Sequence, residues 1–92
     1  MSNKIVEYKD LIAFHPGQYV EELIKDYNLT QKEFAERLEV SEKTISNLVN
    51  AEESIGKETA HKLAKLSGVS MQTWLNLQNA YDVKVAEILE QK

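Results

Sequence analysis

A short polar segment carries the clearest chemistry in this chain. Its side chains, between Ser41 and Leu48, are Glu42, Lys43, Thr44, Ser46 and Asn47. Lys43 can donate to a guanine or a phosphate, Thr44 can contact a thymine methyl group, and the Asn47 amide can pair with adenine through two hydrogen bonds. Ser46 can donate or accept. These residue types together are suited to hydrogen bonding along the edges of DNA bases.

A helix would present these side chains on one side, and the sequence predicts one. Ser41 is of the type that caps a helix N-terminus. The apolar residues Ile45, Leu48 and Val49 follow at the spacing that places them on the opposite, inward side.

A second helix is predicted just before the first. Thr30 and Glu33 form the T-x-x-E pattern of a capping box, in which each side chain accepts from the other residue's backbone N–H. The inward stripe consists of Phe34, Ala35 and Leu38. Gln31, at the start of this helix, is placed to reach a phosphate or a base.

The connection between the two helices is very short, with Glu39 and Val40 at its centre. Helices joined by so short a turn cross steeply, and Ala35 is small where the second helix must approach the first. This pattern predicts a helix-turn-helix, whose second helix can enter a DNA major groove. The competing interpretation is a plain bundle of amphipathic helices with Thr and Ser at the caps.

The chain resembles a known family at four places. One set of positions resembles the lambda-repressor-like (Xre-type) helix-turn-helix regulators: Gln31, Ala35, Val40, Ile45 and Leu48. Three further runs resemble the HigA antitoxin branch of that family: Phe14-His15-Pro16-Gly17, Glu58-Thr59-Ala60 with Leu63-Ala64, and Trp74-Leu75-Asn76-Leu77-Gln78. The chain departs from the pattern at Glu39, where the family usually has Gly. A left-handed non-glycine residue costs about 1 kcal/mol, so we expect a less tight turn.

The resemblance implies an all-α, five-helix lambda-repressor-like domain that binds its own operator as a homodimer and represses its own transcription. It also implies that the chain neutralises a HigB-like mRNA endonuclease toxin. Two alternatives stay open: a stand-alone or fragmentary Xre-type regulator without a toxin, and a protein-interaction module that no longer binds DNA. The candidate DNA-binding residues are Gln31, Ser41, Lys43, Thr44, Ser46, Asn47 and Lys57.

The charge of the chain argues against tight DNA binding, because most nonspecific affinity comes from Lys and Arg near phosphates. The net charge is −4, and residues 28–62 hold five basic against seven acidic side chains. We therefore expect few phosphate contacts per subunit, through Lys43, Lys57 and helix N-termini. The surplus of carboxylates also suits a basic protein partner.

Composition excludes several other classes. There is no Cys, so disulfides and thiolate metal sites are excluded, and no apolar run approaches the roughly 18 residues of a membrane span. His15 and His61 are isolated from ligands and from any nucleophile, so we expect no enzyme, metal site, cofactor or small-molecule substrate. His15 is predicted to cap or pack. We expect a cytoplasmic protein.

The remaining elements follow from local signals. Residues 1–14 form an arm of undefined structure, and a first helix begins near Pro16 and ends before Asn28. Ile55 is predicted to insert into the core from a loop. A fourth helix covers residues 57–67, and Gly68 ends it in a left-handed conformation.

A long fifth helix is predicted from Ser70 to Gln91. Its apolar positions recur every three to four residues and form the candidate dimer interface: Trp74, Leu77, Tyr81, Val85 and Ile88. Asn76 and Gln78 are available for hydrogen bonds across that interface. Because the helix is longer than a small core needs, its second half is expected to project, with Val83, Val85, Ile88 and Leu89 exposed on a monomer. The predicted division is an arm (1–14), a helix-turn-helix domain (15–82) and an extension (83–92).

Overall fold

The structure, a computed structural model, describes residues 5–8 and 11–91. A short antiparallel hairpin precedes five helices: β1 (Ile5–Tyr8), β2 (Leu11–Phe14), α1 (Gly17–Asp26), α2 (Gln31–Leu38), α3 (Glu42–Val49), α4 (Lys57–Ser67) and α5 (Met71–Gln91). The predicted five-helix fold is therefore confirmed, and the hairpin is an addition to the all-α class that was predicted. Within the described ranges, no helix is both long and apolar enough to cross a membrane.

A single buried cluster joins the five helices. Its members are Val20, Ile24, Phe34, Ala35, Leu38, Ile45, Leu48, Val49, Ile55, Ala60, Leu63 and Trp74. The stripes predicted for α2 and α3 are in this cluster, whereas α5 contributes only Trp74 of its predicted stripe. Ile55 reaches the cluster from the loop before α4, as predicted. The outward sides of α2 and α3 are left for polar residues.

The predicted helix starts are present. The Thr30 N–H donates to Glu33 Oε1 at 2.9 Å, and the Glu33 N–H donates to Thr30 Oγ1 at 3.1 Å, which completes the capping box. The Thr44 N–H donates to Ser41 Oγ at 3.0 Å at the start of α3. These caps fix where the two helices of the motif begin.

The turn between α2 and α3 passes through Glu39 in the left-handed region, with φ 61° and ψ 44°. The Val40 N–H donates to the Ala35 carbonyl at 3.0 Å, and Lys62 Nζ donates to the Glu39 carbonyl at 3.0 Å. Our expectation of a looser turn was therefore wrong. The turn keeps the conformation that suits Gly, and Lys62 of α4 holds its carbonyl.

The N-terminal segment differs from the predicted undefined arm because part of it forms a hairpin. Ile5 lies opposite Phe14, and Val6 lies opposite Ala13. Ala13 is buried, and β2 packs against α5. Each strand has only four residues, too few for a clear alternating pattern in the sequence.

The hairpin also corrects our expectation for α5. Ile88 is only 1% exposed and Val85 is half-buried, so the second half of the helix does not project as a bare apolar surface. Val83 and Leu89 are exposed, as predicted. The hairpin, predicted as a separate arm, packs against α5.

Gly17 allows α1 to approach α3 closely. A Cβ atom at this position would lie 1.7 Å from the Leu48 carbonyl oxygen. That distance is far inside van der Waals contact with a backbone atom, so any larger residue forces the two helices apart. The requirement explains the Gly of the His15-Pro16-Gly17 run.

Glu39→Gly should stabilise the fold by up to about 1 kcal/mol. A left-handed non-glycine residue costs about 1–2 kcal/mol, and the greater freedom of Gly in the unfolded chain returns part of that gain. Urea denaturation at unchanged m-value measures the difference. Glu39→Ala is the matched control, since Ala removes the same carboxylate but keeps the strained Cβ. An equal gain in both variants would show that charge, and not backbone strain, is responsible.

Candidate nucleic-acid interface

The outward side of α3 is polar and accessible to solvent. Lys43 is exposed, and Thr44 and Asn47 are half-buried, whereas Ile45 and Leu48 are fully buried beneath them. The helix therefore presents a continuous polar ridge from its N-terminal end. Ser46 is also half-buried, and Glu42 is exposed.

Two hydroxyl groups organise the N-terminal end of this ridge. Ser41 Oγ and Thr44 Oγ1 lie 2.9 Å apart and share one hydrogen bond, in addition to the cap that Ser41 makes to the Thr44 N–H. Ser41 is thus occupied in starting the helix. Because its hydroxyl is bonded to Thr44, it also restrains the rotamer of that side chain.

Asn47 is oriented by a residue that the sequence did not single out. Its Nδ2 donates to Glu53 Oε1 at 3.4 Å, a long hydrogen bond. Glu53 lies in the loop between α3 and α4 and is half-buried. The only sequence signal was an acidic residue six positions after Asn47, which does not by itself indicate a contact.

The other candidate DNA-binding residues lie at helix starts. Gln31 is half-buried at the first residue of α2, and Lys57 is exposed at the first residue of α4. Glu58, the neighbour of Lys57 in sequence, pairs with Lys62 at 3.5 Å. Neither Lys43 nor Lys57 forms an ion pair within residues 5–8 and 11–91. Their roles toward DNA stay predictions.

The loop that carries Glu53 is anchored by a buried amide on α5. The Ile55 N–H donates to Gln78 Oε1 at 2.8 Å, and Gln78 Nε2 donates to Asp82 Oδ1 at 3.0 Å. Gln78 is 5% exposed, so our expectation that it could hydrogen bond across a dimer interface was wrong. Asn76 is exposed, and its Oδ1 accepts from Gln72.

His15 supports the same loop from the opposite side, in the packing role predicted for it. It is buried, its Nδ1 accepts from the Gly17 N–H at 2.9 Å, and its ring meets the edge of Tyr81 at 4.8 Å. Burial lowers the pKa of His15, while the charge of Asp82 and a hydrogen bond to the Glu53 backbone raise it. The neutral imidazole is therefore the form that fits this site.

The five candidate interface residues of α5 differ in accessibility. Trp74 is 2% exposed and Ile88 is buried, so both side chains are used inside the protomer. Leu77, Tyr81 and Val85 are half-buried. The described residues contain no cluster of three or more His, Cys, Asp or Glu that could hold a metal ion.

Comparison with known proteins identifies the family. Residues 20–74 match the helix-turn-helix family, and this range contains α2, α3 and the turn at Glu39. The chain belongs to the Xre-like helix-turn-helix family. This is a family of DNA-binding regulators and antitoxins and not of enzymes.

Individual relatives agree with that family. The chain is 38% identical over 72 residues to an uncharacterised HTH-type transcriptional regulator, YddM of Escherichia coli K12, covering 78% of this chain and 77% of the relative. It is similar to the HigA-family addiction module antidote of Coxiella burnetii, with TM-score 0.74, 36% identity and 79% and 80% of the two chains covered. It is also similar to the Pseudomonas aeruginosa antitoxin HigA, solved with the higBA promoter. The TM-score is 0.76 at 28% identity, and the match covers 79% of this chain and 80% of the antitoxin.

Stability should fall as the pH drops below about 6.5. The folded pKa of His15 lies below the ordinary value of 6.5, so between the two values the unfolded chain binds more protons and the free energy of unfolding decreases with falling pH. His15→Gln should remove most of that slope in urea denaturation between about pH 5.5 and 7.5, where carboxylates stay ionised. The exposed His61, changed to Gln, is the control. Equal slopes in both variants would contradict this role for His15.

Proposed function

We propose that this chain is the antitoxin of a type II toxin–antitoxin module. It binds its own operator as a homodimer to repress transcription, and it neutralises a HigB-like mRNA endonuclease. The observation that carries the DNA-binding part is the free polar ridge of α3, with Lys43, Thr44 and Asn47 outward on a firmly packed helix. The similarity to HigA-type antidotes supports the antitoxin part.

The dimensions of the ridge suit a DNA groove. An α-helix with its side chains is about 10–12 Å in diameter, and the B-DNA major groove is about 12 Å wide. The N-terminal end of α3 enters the groove, where Thr44 and Asn47 meet base edges and Lys43 meets a phosphate. Two copies of the chain, with recognition helices about 34 Å apart, then read a pseudo-palindromic site.

The acidic net charge lowers the affinity of each subunit for DNA. With a net charge of −4, each subunit makes few phosphate contacts, through Lys43, Lys57 and the N-terminal ends of α2 and α4. A single subunit therefore binds weakly, and the linked second subunit supplies most of the operator affinity. Nonspecific binding stays low for the same reason.

The dimer that this requires has two candidate surfaces. One is the α5 surface with Tyr81 and Val85, which are half-buried. The other is the outward face of the hairpin, where Ile5, Ile12 and Phe14 are exposed.

A stand-alone regulator without a toxin is the second candidate function. The similarity to the E. coli regulator favours it, because that relative is described only as a transcriptional regulator. Co-expression with the protein encoded by the neighbouring reading frame separates the two candidates. Capture of a small basic ribonuclease whose toxicity this chain suppresses supports the antitoxin; a neighbour that is neither captured nor toxic leaves the plain regulator.

A gel shift on the chain's own promoter at low salt tests the DNA-binding part. We expect a discrete complex, and its affinity should fall steeply when the sequence of the site is scrambled. If the chain does not shift the promoter, or shifts scrambled DNA equally well, the proposed operator binding is wrong.

Asn47→Ala should weaken operator binding by about 1–3 kcal/mol through one base pair of each half-site. Specificity at that base pair should relax, because a bidentate amide contact to adenine is lost. Binding to operators substituted one base pair at a time measures this. Asn79→Ala, an exposed Asn on α5, is the matched control. A uniform loss on all DNA sequences would show that Asn47 does not read a base.

Lys43→Ala should reduce the slope of log affinity against log salt by about one unit per subunit, since one fewer counterion is released. Titrations at several salt concentrations give the slope. Lys65→Ala is the matched control, since it removes the same charge from an exposed position in the last turn of α4 and should keep the wild-type slope. If both variants have the wild-type slope, Lys43 does not contact a phosphate.

A further inference from the structure

A groove between α1 and α5 lies apart from the polar ridge of α3. Leu23, Trp74 and Leu77 line it, together with Tyr19 and with Val69, which lies just before α5. Tyr19 is 41% exposed and Val69 is 38% exposed. The groove is therefore an open apolar surface, and Trp74, 2% exposed, is the buried residue behind it.

Two carboxylates stand at the rim of this groove. Glu22 and Asp26 both line it, both are exposed, and they lie one helical turn apart on α1. Neither forms an ion pair with another described residue. Like charges at this spacing repel, so a cation carried by an occupant of the groove would relieve that repulsion.

The groove and the DNA ridge share no residue. None of the seven candidate DNA-binding residues lines the groove, and the close contact of α1 with α3 is made at Gly17, on another side of α1 from Tyr19 and Glu22. One molecule can therefore occupy the groove while α3 is bound to DNA.

We propose that this groove binds a basic protein segment in which an apolar side chain is flanked by Lys or Arg. The apolar side chain packs among Tyr19, Leu23 and Leu77, and the flanking cations meet Glu22 and Asp26. This inference rests on the proposed antitoxin function and extends it, because an RNA-cutting toxin needs a basic surface to hold its substrate. The groove is then the toxin-contacting surface of this chain.

Charge reversal at the rim tests the proposal. The double variant Glu22→Lys/Asp26→Lys is compared with Glu36→Lys/Glu90→Lys, which reverses two exposed carboxylates away from the groove and changes the net charge equally. The probe is the basic protein encoded by the neighbouring frame. We expect at least tenfold weaker capture only for the first variant, with both variants equally able to shift operator DNA. Equal capture by both overturns the groove proposal but leaves the antitoxin function standing.

A second probe does not depend on the neighbouring frame. A synthetic amphipathic peptide of Leu and Lys should change the fluorescence of Trp74, the single Trp of the chain, and its analogue with Glu in place of Lys should not. Absence of a response to the Lys peptide, or an equal response to both peptides, overturns the proposal.

Sedimentation tests whether a second copy of the chain, and not a basic segment of another protein, occupies the groove. Leu77→Asp should weaken peptide binding without changing the oligomeric state. If this variant folds and sediments at half the wild-type mass, the groove is a dimer surface and the proposal is wrong.

Discussion

The buried hydrogen bond from the Ile55 N–H to Gln78 is the contact on which the α3 surface depends. It fixes the loop after α3 to the middle of α5, and the buried His15 packs against Tyr81 of the same helix. A buried donor left without its partner costs about 1–3 kcal/mol, so the loop has one strongly favoured position. That position sets where the Glu53 carboxylate lies and, through it, the orientation of the Asn47 amide.

Much of the motif could be predicted from the sequence because its signals are local. The capping box at Thr30, the cap at Ser41 and the left-handed ends at Asn28 and Gly68 each depend on residues within one turn of one another. The inward stripes of α2 and α3 follow from helical periodicity alone. The outward position of Lys43 then follows, since a helix with one buried side has an opposite exposed one.

The parts that were missed depend on contacts between distant segments. Ile88 looked exposed because nothing near it in sequence covers it, yet it is buried, and the helix that carries it packs against a hairpin near the other end of the chain. Gln78 looked like a surface amide because its partner, the Ile55 N–H, is twenty-three residues earlier. Glu39 was expected to loosen its turn, but Lys62 of α4 supports the Glu39 carbonyl. The groove residues Glu22 and Asp26 drew no notice, since two acids on a helix usually mark a solvated face.

The contact between Asn47 and Glu53 affects how the proposed operator is chosen. The Asn47 Nδ2 carries two hydrogens, so an adenine can accept one of them while Glu53 Oε1 accepts the other. Glu53 thus holds the amide ready for the right base, and its negative charge opposes the approach of every duplex. Glu53 then favours discrimination at the expense of affinity, since only the right base adds a contact that offsets the repulsion.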